Sequence, residues 1–187
     1  MIRIKHTVVW ENLEMAGLEY LELDFGDEQI DVNSTIISMI EDSPYKISYN
    51  LSLDRNWKVR EVRLVTTHST KSLYISTDGN GIWYDESGNE LHSLNGAIDI
   101  DISGTPFTNS IPINRLKCEE NLDYSIEVVY ISVPDLTLKK LKQNYRFLSQ
   151  NLDRKVFYYR SGNFESKIEV DRLGLVTNYP GLFKRIK

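Results

Sequence analysis

The sequence predicts an all-β, mostly antiparallel protein with little helix. Apolar residues recur with period two through segment after segment, the segments are short, and residues that tolerate positive φ separate them. The cleanest alternation runs over 45–54: Tyr45, Ile47, Tyr49, Leu51 and Leu53 share one face, and Lys46, Ser48, Asn50, Ser52 and Asp54 the other. A pleated strand turns that pattern into one core face and one solvated face.

The same logic opens the chain, where Ile2, Ile4, His6, Val8 and Trp10 oppose Arg3, Lys5, Thr7 and Glu11. Further strands are predicted over 17–25, 57–67, 72–77, 82–85 and 97–102. Over 102–112 two prolines and Gly104 interrupt any period, but Phe107 and Ile111 predict a loop that packs down onto the core. Leu122, Tyr124, Ile126, Val128 and Tyr130 then share a strand face, opposed by Asp123, Ser125 and Glu127. Over 134–150, Leu138, Leu141, Tyr145 and Leu148 recur at helical spacing; the alternating start of the segment reads as strand. Strands over 155–160 and 164–170 complete the set. Asp78-Gly79-Asn80-Gly81, Ser87-Gly88-Asn89 and Ser161-Gly162-Asn163 supply hairpin turns. Ile75, Asp78, Gly81, Ile82 and Trp83 match Ile168, Asp171, Gly174, Leu175 and Val176 at a constant offset, which fits either two similar meanders or a shared turn type.

With 187 residues the chain is expected to form a single domain spanning 1–187. Its 22 Lys and Arg against 27 Asp and Glu give a net charge of -5 with no basic cluster, which argues against nucleic acid as partner. No apolar run approaches the roughly 20 residues of a membrane-spanning helix. The single cysteine, Cys118, cannot form an intramolecular disulfide, and the first residues lack a secretory pattern, so a cytoplasmic location is expected. Glu119 and Glu120 beside Cys118 should raise its thiol pKa and leave it a structural residue.

Asp99 and Asp101 alternate with isoleucines, so both carboxylates leave one strand face about 7 Å apart. Such a pair could hold a divalent ion or divide acid and base roles, or it could pair with Arg115 to clamp the loop between them. No histidine has metal-ligand spacing, no G-x-S-x-G or phosphate-loop glycine pattern occurs, and no cofactor is implied. The chain has 11 Tyr, 6 Phe and 3 Trp. Trp10, Trp57, Trp83, Tyr45, Tyr49, Tyr74, Tyr124 and Tyr158 are placed by β propensity in a core, or on the wall of an amphipathic interior.

The segment from Asp99 to Leu116, with Asp99-Ile-Asp101, Thr105-Pro106-Phe107-Thr108-Asn109 and Ile111-Pro112-Ile-Asn-Arg115-Leu116, resembles the signature of a bacterial family of putative glycolipid-binding proteins. Trp10, Gly17-Leu18-Glu19, Asp78-Gly79-x-Gly81-x-Trp83, Asp171-x-x-Gly174 and Tyr179-Pro180-Gly181-Leu182 extend the resemblance over nearly the whole chain. Ile111 and Asn114 depart modestly from the pattern. The resemblance implies a spiral β-roll or open barrel, similar in shape to the carriers that move lipoproteins between membranes.

Three functional readings follow. In the first, the protein is non-catalytic and its concave β-roll accepts a glycolipid or similar amphiphile. Trp57, Trp83, Tyr45, Tyr49, Tyr74 and Tyr124 would then line the interior, with Asp99, Asp101, Asn109 and Arg115 near its rim. In the second, Asp99 and Asp101 serve a metal-assisted enzyme acting on a phosphorylated or glycosylated small molecule. In the third, sheet edges dock a partner strand.

Overall fold

A computed structural model describes residues 4–67 and 71–187; Ile2 and His68 lie outside the described residues. Strands β1 (Ile4–Asn12), β2 (Gly17–Phe25), β3 (Gln29–Ile40), β4 (Ser43–Asp54), β5 (Val59–Thr66), β6 (Ser72–Thr77) and β7 (Trp83–Asp85) form an antiparallel meander. Strand β8 (Asp99–Ile102) leads through helix α1 (Phe107–Leu116) into β9 (Asp123–Ser132), β10 (Thr137–Gln150), β11 (Lys155–Ser161), β12 (Phe164–Val170), β13 (Val176–Tyr179) and β14 (Phe183–Arg185). Because β14 pairs with β1, the two meanders merge into one 14-stranded sheet ending at β7 and β8.

Those two ends are stitched together. Trp83 Nε1 donates to the Ala97 carbonyl at 2.7 Å, and the Gly96 amide donates to the Gly81 carbonyl at 2.9 Å. The approach requires glycine: a Cβ on Gly81 would stand 3.1 Å from Gly96 Cα, and φ is 105° and 92° at the two positions. Segment 90–97 also covers β7, through a bridge between Tyr84 and Glu90 and a bond from the Leu91 amide to the Trp83 carbonyl. Backbone groups that a docking strand would need at β7 are thereby engaged.

The expected packed loop over 102–112 is in large part helix. Strands β8 and β9 form a parallel pair, and parallel neighbours need a crossover, which α1 supplies. Phe107 to Ile113 are all buried, so α1 lies inside the curved sheet, with Phe107 and Ile111 in the cluster of the first meander and Ile113 in that of the second. A helix enclosed on all sides has no polar stripe, and Thr108, Asn109 and Ser110 obscure its apolar character in the sequence. The Thr105 hydroxyl accepts the Phe107 amide at 3.0 Å and secures the first turn.

The alternation of β4 is reproduced in its burial, with Tyr45, Ile47, Tyr49, Leu51 and Leu53 all inside. In β9 the predicted face needs correction: Val129 and Ile131 are buried along with Val128, Tyr124, Ile126 and Tyr130 are half-buried, and Leu122 is exposed. Near its end β9 is covered on both faces, because Val129 and Ile131 join the first core. Segment 137–150 is the strand β10. Strands β3, β13 and β14 had no prediction: inward Ser34 and Ser38 interrupt the apolar register of β3, and β13 and β14 have only 4 and 3 residues.

The match between Asp78 and Asp171 is a matter of turn type. At Asp54, Asp78, Asp85 and Asp171 the carboxylate accepts the amides two and four residues on, while the aspartate amide donates to the carbonyl four residues on. The fourth residue of each turn, Trp57, Gly81, Gly88 or Gly174, has positive φ. One local solution recurs four times, beyond the two places the offset joined.

Candidate functional site

Strand β8 projects Asp99 and Asp101 toward α1, and their roles separate there. Arg115, in the last turn of α1, donates Nε to Asp99 Oδ1 at 2.9 Å and Nη2 to Oδ2 at 2.6 Å. The Asp99 side chain is fully buried and that of Arg115 is 15% exposed, so the pair is an internal clamp between helix and sheet. Burial raises the Asp99 carboxyl, and the guanidinium opposes that rise. With both Asp99 oxygens engaged by Arg115, the two aspartates do not offer a pair of free carboxylates to one ion. No group of three His, Cys, Asp or Glu positioned for a metal occurs among the described residues.

Asp101 belongs to a polar chain instead. Its Oδ2 accepts Gln143 Nε2 at 2.6 Å and its Oδ1 accepts the Thr108 hydroxyl at 3.3 Å. Tyr145 donates its hydroxyl to Gln143 Oε1 at 3.2 Å, and Asn109 Nδ2 donates to that Tyr145 oxygen at 2.9 Å. The network spans β8, α1 and β10. Burial raises the Asp101 carboxyl, while Gln143 and Thr108 draw it down.

Two members of this network, Asp101 and Asn109, line a cleft of about 350 Å³ beside the second meander. Glu14 in the β1–β2 turn, Ser103 after β8, Ser161 and Phe164 at the β11–β12 turn and Leu182 in the β13–β14 turn surround its mouth, so it opens at one end of the rolled sheet. Tyr130, Tyr159, Tyr179 and Phe183 form its walls with Leu141, and Asp101 and Asn109 its polar floor. Tyr159, Phe164 and Tyr179 pack as a triangle of rings with centroids 6.1 to 6.2 Å apart. Burial followed by the Asp101 charge raises the Tyr159 hydroxyl, and burial followed by Tyr159 and Asp101 raises that of Tyr179. Both phenols are therefore neutral donors and acceptors at physiological pH. A larger hollow of about 520 Å³ lies across the outer faces of β1–β5, lined mainly by solvated groups such as Lys5, Glu22, Asp31 and Arg63. It lacks aromatic walls.

Of the residues singled out from sequence, Asp101 and Asn109 line the cleft, and Asp99 and Arg115 form the clamp behind it. Trp83, Tyr45 and Tyr49 are buried in the core of the first meander, with Trp57 packed against it. There the interior is filled by side chains and not open. Tyr74 lies half-buried beneath Arg63, whose guanidinium carbon is 5.0 Å from the ring centre, and the Tyr124 hydroxyl accepts the Glu119 amide at 3.0 Å. Neither lines the cleft. Tyr130, Tyr159, Tyr179, Phe164 and Phe183 escaped the sequence reading as site residues, although the Tyr179-Pro180-Gly181-Leu182 motif pointed to their neighbourhood. Their convergence needs the curvature that brings β9 and β11 to β14 around one space.

Other reactive side chains are disposed structurally. Cys118 is half-buried, and its thiol is pushed up to about 11 mainly by burial, with Arg115 and Lys155 pulling the other way. The adjacent glutamates are not the cause. His6 meets Phe25 edge-on, and His92 pairs with Glu90 on the exposed 3-10 turn before β8.

A solved structure of a DUF1089 family protein from Pseudomonas aeruginosa is similar to this chain, with 32% identity, a TM-score of 0.76 and coverage of 90% of this chain and 92% of that one. A β-barrel-like DUF1849 protein from Brucella abortus superposes with a TM-score of 0.52 at 10% identity, covering 99% and 95%, and shares the fold. No curated protein matches. The family model described as "putative glycolipid-binding" matches residues 7–185, and the chain belongs to that family.

Proposed function

We propose that the protein binds a glycolipid-like amphiphile in the cleft between α1 and the second meander, without catalysing its conversion. The observation that carries this reading is one wall of Tyr and Phe rings set against a polar floor of Asp101 and Asn109. Apolar ring faces accept an acyl or alkyl portion, and the hydroxyls and floor accept a hydrogen-bonding head. A cleft of about 350 Å³ lies near the lower end of small-molecule sites, which run from roughly 300 to 1,000 Å³. That size suits the headgroup and the adjoining part of a chain, with the remainder leaving through the mouth. Family membership supports the same ligand class.

Native mass spectrometry of gently purified protein, followed by lipid extraction, tests the proposal. The expected result is a bound amphiphile that is lost from a folded Tyr179→Arg variant, whose side chain would fill and charge the cleft. Absence of any bound or added amphiphile on the folded wild-type protein would overturn it.

A further inference from the structure

The charge of the cleft selects among amphiphiles. Its lining carries two carboxylates, Asp101 on the floor and Glu14 at the mouth, and no Lys or Arg among the described residues. Nearby cations are engaged: Arg115 is locked on Asp99, and the Lys139 ammonium sits 4.9 Å from the centre of the Tyr130 ring. A phosphate or carboxylate brought to the floor would meet a like charge in a partly desolvated site that no Lys or Arg lines. The polar groups that line the cleft are carboxylates, hydroxyls able both to give and to accept, and the uncharged amide of Asn109.

We propose that the cleft is specific for an uncharged, polyhydroxylated headgroup, a sugar, and discriminates against phosphorylated or carboxylated heads through Asp101. This rests on the reading of the cleft as an amphiphile site. A sugar can both give to and accept from these groups, whereas an ammonium head only donates and offers no acceptor to the Tyr179 hydroxyl or the Asn109 amide. Asp101 is the specificity-determining residue because it lines the cleft and Gln143 and Thr108 hold its carboxylate in place.

Calorimetric titration with octyl glucoside, octyl phosphate and octylammonium, all below their micelle concentrations, compares three heads on one chain. Octyl glucoside is expected to bind at least about ten-fold tighter than octyl phosphate, since each 1.4 kcal/mol is ten-fold. In folded Asp101→Asn, which keeps the shape of the side chain and removes its charge, that ratio is expected to fall several-fold. Should Asp101→Asn fail to fold, Glu14→Lys at the exposed mouth provides the second variant and should narrow the ratio in the same direction. Equal binding of glucoside and phosphate by the wild type would overturn the charge selection while leaving amphiphile binding intact. Tightest binding by octylammonium would replace the sugar with a cationic head, and binding of none would remove the cleft reading itself.

Discussion

Arg115 meets Asp99 through two hydrogen bonds of 2.9 and 2.6 Å, joining the last turn of α1 to strand β8 inside the protein. The pair holds the helix against the strand that also carries Asp101, so the clamp and the floor of the cleft share one support. Removing one partner leaves the other charge buried without compensation, at a cost of roughly 3–5 kcal/mol. Arg115→Ala and Asp99→Ala should each lower the unfolding free energy by that order, read from the shift of the urea midpoint multiplied by the m-value. The double replacement Asp99→Leu with Arg115→Leu should recover much of the loss, and single variants with wild-type midpoints would refute the clamp.

Glu19 sets a pH dependence. Its carboxylate on β2 is buried, with Oε1 accepting Tyr49 at 2.5 Å and Ser34 at 2.7 Å, while Oε2 has no hydrogen-bond partner among the described residues. Burial raises its pKa from 4.5 to about 7, against the nearby hydroxyls of Thr105, Tyr49 and Ser34. The folded value lies above the unfolded one, so the stability from keeping the carboxyl neutral is present below about 4.5 and is lost as pH rises through about 7. The displacement corresponds to roughly 3 kcal/mol. Equilibrium unfolding from pH 5 to 8 should show Glu19→Gln gaining on the wild type by about that amount, and a constant difference would contradict it.

Trp57 occupies a position that glycine fills in the three sister turns, with φ of 61°. The side chain repays the backbone by packing against Phe25 at 6.2 Å and Phe107 at 6.5 Å between ring centres. Trp57→Ala loses the packing and keeps the strained backbone, for about 3 kcal/mol or more, whereas Trp57→Gly regains roughly 1 kcal/mol. Thermal unfolding should therefore rank wild type above Trp57→Gly and Trp57→Gly above Trp57→Ala.

Cys118 should be unreactive in the folded protein. A thiol pKa near 11 leaves little thiolate at pH 8, so alkylation by iodoacetamide should be at least ten-fold slower than in urea-unfolded protein. Equal rates in the two states would place the thiol in a different environment.

Particular residues show how far the sequence reached. The face of β4 and the hairpin at Gly162 were legible because a strand's period and a turn's φ are local properties. Helix α1 was not: its neighbours decide its conformation, and enclosure on every side erased the one-sided pattern by which a surface helix is recognised. Strand β3 was hidden because Ser34 faces inward to bond Glu19, a partner 15 positions earlier.

The tyrosines show the same division. Their number and alternation determined a β shell with an aromatic interior, together with Arg115 as the natural partner of a carboxylate in the Asp99 segment. Tertiary structure alone decided that Tyr49 would meet Glu19 in a filled core, that Tyr145 would join Asn109 and Gln143, and that Tyr159 and Tyr179 would wall a cleft above Asp101. The reason is physical: strand periodicity fixes which face a side chain takes, but the space beyond that face is shaped by the curvature of the whole sheet and by the helix enclosed within it.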